Sequence, residues 1–488
     1  MGAECKTESD FSCKIVSMYR IIVKKELKEI LGSARFRWSA GLFIPLLILA
    51  LLDGVAHYRS EHVVRAEASE ATYRQWLEQG EKNPHSAAHY GFYAYKPLSP
   101  LSILDRGLDD HLGNAVWLEA HNQNEAKTRA ITDMLSLSRF GPLTAGLLHH
   151  TFLPLLLIVL GYNLVSRERE SQTLRLLLST GASPSAMLRA KALALFICSL
   201  VIALPGFAAM AITVALESAE VRWTQLILLF GCLIVLYAFF SMAVVAVSAL
   251  SRFSPVSLVS LMAFWLVGVV IVPRLSGTMA KRLAPTPSAF AFQKAVDWDR
   301  ENGLDGHDPG SERGRRFERE VLERYGVDSV EQLPVNFAGL SLQAGEEYAN
   351  LIYDRHFGAL FDAFRRQDRF IGLSALFSPL MAARATTYGF AGTDLARHES
   401  FVRQAEDKRR HVQKFLNDDF AVNAVGKDFS TYLKGKELWS MVTAFKFIPH
   451  TTSELMRLQS LNMMVLLLWT MFAAGLLAYS AKNLNPSL

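Results

Sequence analysis

Six histidines, His57, His62, His85, His89, His111 and His121, fall within one polar stretch, residues 57–141, beside Tyr90, Phe92, Tyr93 and Tyr95. Clustered imidazoles could ligate a metal and the aromatics could shape a pocket, since neutral histidine is a common zinc ligand. Core packing accounts for both sets more simply, so no metal site is expected. Asp394 and His398 stand four apart, as in a helical metal pair, but without a third ligand. The simpler role for Thr393 or Asp394 is N-cap of the helix running through His398. His149 and His150 sit in an apolar stretch, where ionisable groups often mark function. Being adjacent they face different sides, and near one end of the stretch they are expected to meet water.

Motifs for catalysis are missing. The sequence contains no Gly-x-x-x-x-Gly-Lys-Ser/Thr phosphate cradle, no Gly-x-Ser-x-Gly elbow and no His-Glu-x-x-His; the nearest string, His398-Glu399-Ser400-Phe401, lacks the second histidine. No catalytic residue and no cofactor held by this chain are expected. Four cysteines occur, Cys5, Cys13, Cys198 and Cys232, none of them in the long hydrophilic stretches, so disulfides and cysteine-paired metal centres are excluded there.

The elements that must position these residues are apolar helices. Of 488 residues 51% are hydrophobic and 20% charged, a balance that calls for both membrane and aqueous parts. Six runs are long enough to cross a hydrocarbon core, at 38–56, 142–165, 192–216, 223–250, 256–272 and 461–481. The run at 38–56 is read as a retained signal anchor, because about 37 polar and basic residues precede it. Lys14, Arg20, Lys24, Lys25, Lys28, Arg35 and Arg37 precede the first run, and Arg167, Arg169, Arg175, Arg189 and Lys191 occupy the loop at 166–191. Positive-inside counting then places both termini, and that loop, in the cytoplasm. Two insertions, 57–141 and 273–454, fall outside. The second reads as mostly helical, for example over 313–325 and 398–416, with breakers at Asp305-Gly306, Asp308-Pro309-Gly310 and Leu333-Pro334. The apolar stretch 370–392 competes as a seventh span. Arg384 and Pro379 argue for a buried or membrane-grazing helix instead. A net charge of +5, concentrated near the N-terminus, fits membrane orientation and not nucleic-acid binding.

Two polar segments stand out. From Met18 to Leu31, Ile22, Val23, Leu27, Ile30 and Leu31 recur near helical period, with Arg20, Lys24, Lys25 and Lys28 on the other side. The stretch reads as an amphipathic helix on the inner leaflet or, alternatively, as one packed on its own protein, ended by Gly32 and Ser33. In the loop at 166–191, Glu168 and Glu170 precede Leu174, Leu177 and Leu178, with Ser171 and Thr173 available as caps. The expected product is a short helix whose leucine ridge suits a groove on a partner. Gly181 breaks it, and Ser183-Pro184 starts the next helix.

Glu170, Thr173, Leu174, Leu177, Leu178, Ser179, Gly181, Leu188 and Lys191 resemble the "E-x-x-T-L-x-x-L-L-S" signature of ABC-2 type transporter permeases. The helix containing Lys24-Lys25-Glu26-Leu27 resembles the amphipathic helix that precedes the first span in that family. Tyr325-Gly326-Val327, Leu333-Pro334-Val335-Asn336 and the run from Ala391 to His398, followed by Phe401, resemble a branch with a long extracytoplasmic insertion before the last span.

The resemblance implies an all-α polytopic protein of the bacterial inner membrane, with six spans as half of a twelve-span unit. Its partners would be a cytoplasmic ATPase dimer that binds ATP and Mg, a second permease half (identical chain or paralogue), membrane lipid and an extracytoplasmic partner. Glu168, Glu170, Thr173, Leu174, Leu177 and Leu178 would form the ATPase-coupling site, and export would be the direction of transport. The rival reading is a membrane-anchored interaction subunit that transmits force from an ATPase and moves no solute. Rigid helices from spans five and six into the outer domain would favour it; the breaker-rich segment 273–287 argues against it.

Overall fold

A computed structural model describes residues 4–127, 141–218, 222–301 and 311–484. The breakers expected at Asp305-Gly306 and Asp308-Pro309-Gly310 lie outside the described residues. The chain is an all-α polytopic membrane protein, and among the described residues six helices are long and apolar enough to cross a bilayer.

Helix α1 (Glu4–Gly32) turns into α2 (Ala34–Leu77) at Ser33. The Ser33 hydroxyl accepts from the Phe36 amide and donates to the Ile30 carbonyl, which fixes the bend. Helix α2 has 44 residues, or about 66 Å at helical rise, twice a hydrocarbon core. The run expected at 38–56 is therefore only its first half. Beyond it come α3 (Pro84–Tyr90) and an antiparallel hairpin of β1 (Phe92–Tyr95) and β2 (Ala115–Leu118). Gly54 on α2 faces the turn at Pro100–Ile103, where a Cβ would lie 2.2 Å from the Ile103 carbonyl oxygen.

Helix α4 (145–161) leads into two short helices, α5 (Ser166–Glu170) and α6 (Thr173–Ser179). Next come α7 (Pro184–Glu217), α8 (Trp223–Leu250) and α9 (Ser254–Leu283). Pro184 occupies the first turn of α7, with Ser183 as its N-cap, as the sequence implies.

Both α4 and α9 contain a π-turn, at Leu148–Phe152 and Val267–Ile271, and each ends two residues before a proline, Pro154 and Pro273. Proline lacks an N–H and crowds the carbonyl four residues back, and a widened turn relieves both problems. The expectation that 273–287 interrupts rigidity holds only for its second part: α9 stays helical through Pro273 to Leu283, and the chain leaves the helix at Ala284 before α10 begins.

The remaining helices are α10 (Ala289–Glu301), α11 (Glu312–Tyr325), α12 (Phe337–Leu373), α13 (Pro379–Ala391), α14 (Leu395–Asn423), α15 (Lys436–Met441) and α16 (Thr452–Lys482). The stretch 370–392 is no continuous helix, since the chain is extended at Ser378. At 13 residues, α13 reaches about 20 Å, too short to span. It packs between α8 and α16, its Leu380, Met381, Ala383 and Phe390 in the bundle core. Its apolarity answers burial in protein, not lipid.

Away from the bundle, the two insertions share one core. Trp76 of α2, Phe92 and Leu118 of the hairpin, Phe401 and Leu416 of α14, and Trp439 of α15 close it. Trp76 donates to the Trp439 carbonyl and Trp439 to that of Gly80. The bundle thus has a loop end, bearing α5 and α6, and a domain end, continuous with this polar domain.

Candidate functional site: the loop end of the bundle

Three consecutive charged residues on α5 reach four different helices. Glu168 Oε1 lies 2.7 Å from Lys191 Nζ, at the base of α7, and 3.3 Å from Lys25 Nζ on α1. Arg169 donates to the Ala249 carbonyl at 2.7 Å and to the Ser251 carbonyl, at the end of α8. Glu170 accepts from the amide and hydroxyl of Ser254, at 2.6 and 3.1 Å, where α9 begins. A cation thus meets a helix C-terminus and an anion a helix N-terminus, each matched to the helix dipole and to unpaired backbone groups. Ser248 of α8 also accepts from the amides of Val165 and Ser166.

Glu26 was not singled out by its sequence position, yet it anchors the same cluster. It lies on the stripe of Ile22 and Ile30, is 2% exposed, and meets Lys191 Nζ at 2.7 Å. Lys191 is itself 1% exposed. Two carboxylates and two ammonium groups therefore balance across α1, α5 and α7. Burial pulls the Lys25 ammonium down, but Glu26, Glu168 and Glu29 outweigh it and hold its pKa above the ordinary value. The signal available was a lone carboxylate on an apolar stripe.

Arg20, Lys24, Lys25 and Lys28 are exposed on α1, while Ile22 and Ile30 are buried. Ile30 meets Ala194 and Cys198 of α7. The stripe expected on the inner leaflet is corrected accordingly: much of it packs on the protein, because α7 is longer than its apolar run and offers it a partner.

The leucine ridge is also redirected. Leu174 is fully buried in the bundle core, and Leu177 and Leu178 pack against that core. Arg175, Leu176, Ser179 and Thr180 face outward, Leu176 being 68% exposed. Neither Ser171 nor Thr173 caps α6, whose N-cap is Gln172 in the left-handed region at φ +62°. Their hydroxyl oxygens instead lie 2.9 Å apart, and the Glu168 carbonyl can accept from either, closing α5. Gln172 and His121 are the positive-φ residues other than glycine among the described residues, and such outliers concentrate where tertiary contacts over-determine the backbone.

At the domain end the expectation that His149 and His150 meet water is corrected. Both lie in the π-turn of α4 and are at most 1% exposed. His149 Nδ1 is 2.8 Å from the Tyr237 hydroxyl, and His150 Nε2 is 3.6 Å from Asp105 Oδ2. Between bundle and polar domain lies a cavity of about 630 Å³, lined in part by Arg65, Arg222, Arg397, Lys446 and Glu217. Arg59 binds Glu217 through two nitrogens, at 2.6 and 2.7 Å, so the lining is left net cationic and suits an anionic group.

Asp394 is the N-cap of α14, accepting from the Arg397 amide. Of the six clustered histidines, His85, His89 and His121 converge. His57 instead lies 3.9 Å from Asp110, and His62 packs on Tyr58.

Comparison with known families matches residues 20–302 to the family described as ABC-2 family transporter protein, and residues 290–448 to a domain of unknown function (DUF3526). The first match takes in α1 through the start of the polar domain, including Glu26, α5, α6 and Lys191. No curated protein and no solved structure matches the chain.

Proposed function

Since the chain belongs to the ABC-2 family of transporter proteins, we propose that this membrane subunit of an ATP-binding-cassette transporter couples a separate ATPase to export through the α5 hub. The observation that carries the reading is the reach of Glu168, Arg169 and Glu170 to α1, α7, α8 and α9. A push on α6 is transmitted at once to four helices. The docking face is the outward side of α6, Arg175, Leu176, Ser179 and Thr180, while Leu174, Leu177 and Leu178 seat α6 on the bundle.

In this reading the loop end faces the cytoplasm of a bacterium, and the polar domain lies outside the inner membrane. ATP and Mg are bound by an ATPase dimer, because the chain has no phosphate cradle of its own. A second permease half completes the transporter. The cationic cavity at the domain end is where an anionic part of the cargo, or a lipid head group, is received. ATP acts by favouring one arrangement of the hub contacts over another, since a ligand shifts an equilibrium only through differential affinity.

The test is gentle purification of the tagged chain from its own membrane, with identification of what accompanies it and an assay of ATP hydrolysis. A Walker-type ATPase is expected with the wild type, and at least tenfold less of it with Leu176→Asp, which changes an exposed residue and spares the fold. No ATPase and no hydrolysis would overturn the reading.

One observation favours force transmission without transport: α2, α9 and α16 run unbroken from the bundle toward the polar domain. A reconstituted complex that hydrolyses ATP and alters protease access to the polar domain, with no cargo moved, would put that reading first.

A further inference from the structure

We propose that His85, His89 and His121 bind a divalent transition-metal ion of the zinc class, at the seam where the first insertion meets α12 and α14. His85 and His89 are four apart on α3 and so share a face. Their Nε2 atoms are 3.2 Å apart. Two nitrogens on one tetrahedral zinc, at about 2.0–2.1 Å each, stand about 3.3 Å apart. His121 follows β2 and closes the triangle, its ring centroid 5.1 Å from that of His85 and 4.8 Å from that of His89. One donor nitrogen from each residue lies within 4.8 Å of the others.

Surrounding groups set the tautomers that metal binding requires. Asn417 donates through Nδ2 to Gln343 Oε1 at 3.2 Å, so its Oδ1 is the atom facing His85 Nδ1 at 3.0 Å. Oδ1 can only accept, hence His85 carries its proton on Nδ1 and presents a lone pair on Nε2. Glu346 Oε1 lies 2.7 Å from His121 Nδ1 and also accepts from the His121 amide at 2.7 Å. The same argument leaves Nε2 of His121 as its ligand atom. A carboxylate or amide behind the imidazole is the arrangement that orients metal-bound histidines and raises their basicity. Arg409 in turn holds Glu346 at 3.2 Å.

Backbone geometry agrees. His121 is held at φ +63°, a conformation that the double hydrogen bond to Glu346 makes tolerable and that aims the ring back at α3. His89 is exposed and His85 buried, so an ion here is open on one side to water or a fourth ligand. Three imidazoles, the ligand set among the described residues, favour zinc, cobalt, nickel or copper over magnesium or calcium. The ligands come from the first insertion and their supports from α12 and α14, so the ion would clamp one onto the other. The site stands whether or not the chain moves a solute.

The experiment uses the full chain in detergent, purified without a polyhistidine tag and stripped with chelator, then titrated with Co(II) and displaced with Zn(II). The wild type is expected to take up one Co(II), with the intense visible bands of a tetrahedral site that Zn(II) bleaches. Zn(II) is also expected to raise its unfolding temperature. His89→Ala alters an exposed side chain and is expected to weaken binding about 100-fold or more, whereas His62→Ala leaves it unchanged. A wild type without tetrahedral Co(II) bands overturns the proposal; that measurement needs no variant, so a misfolded His89→Ala would not shelter it. Equal binding by wild type and His89→Ala overturns it as well.

Discussion

The two ends of the molecule bury charge in different ways. In the polar domain Arg409 and Glu346 are each 1% exposed, and Arg409 also binds Glu406 through two nitrogens at 2.8 Å and Asn350 at 2.5 Å. At the loop end Lys191 and Glu26 are equally buried, but Glu168 is 13% and Lys25 41% exposed. The sealed network behaves as scaffold, because removing any member strands a buried charge. The half-open cluster joins helices through groups that water can reach, so its contacts can be exchanged at lower cost. The coupling proposed above, with an ATPase acting at the loop end, calls for that asymmetry.

The contrast is broken most directly by Arg409→Met. It leaves Glu346, 1% exposed, without a permanent cation, with only the His121 ring and amide beside it, while Glu406 keeps Arg410, and a loss of about 3–5 kcal/mol is expected for a broken buried pair. Thermal unfolding in detergent checks it, and an unchanged midpoint would mean the polar-domain network is no scaffold. Lys191→Met comes next. Glu26 and Glu168 keep Lys25, so a smaller loss, about 1–3 kcal/mol, is expected. It should appear as faster amide exchange confined to α1 and α5, with ATP hydrolysis uncoupled from cargo; exchange spread over the whole bundle would erase the distinction between the two ends.

The smallest effect is expected at the junction of the two regions. Burial raises the Asp394 carboxyl from 3.8 to about 7, with Asp368 and Asp109 adding to the rise and the Arg397 amide and guanidinium opposing it. A raised folded pKa means that the folded state holds its proton more tightly. Stability is then complete below 3.8 and falls as pH rises toward and through about 7. Asp394→Asn keeps the N-cap and removes the charge. It should match the wild type near pH 4 and unfold at a higher temperature near pH 8, by about 1–2 kcal/mol. Parallel pH curves would show that Asp394 is not desolvated at the junction.

Much of the architecture was legible because membrane spans are written locally. Each of the six apolar runs reports its helix through length and composition alone. Where the reading went astray, an element had found an unforeseen partner. Pro273 looked like a break because a π-turn placed just before it is invisible in composition; the stretch 370–392, by contrast, reads as a buried or membrane-grazing helix from Arg384 and Pro379, and α13 is buried in the bundle, although protein interior and lipid call for the same apolar residues. The loop at 166–191 announced a short helix, while which of its leucines faced outward depended on the seat that α6 takes on the bundle.

The sequence by itself determined the apolar segments, the basic loops, the caps at Ser33, Ser183 and Asp394, and the lack of a nucleotide cradle, all of which arise within a few residues of chain. Only the tertiary structure decided that Glu26 meets Lys191 across 165 residues, that His121 meets Glu346 across 225, and that three of six histidines converge. The reason is physical. Periodicity reports which face of a helix shuns water, but a buried charge or a ligand set is completed by groups from distant segments, whose meeting depends on how the whole chain packs.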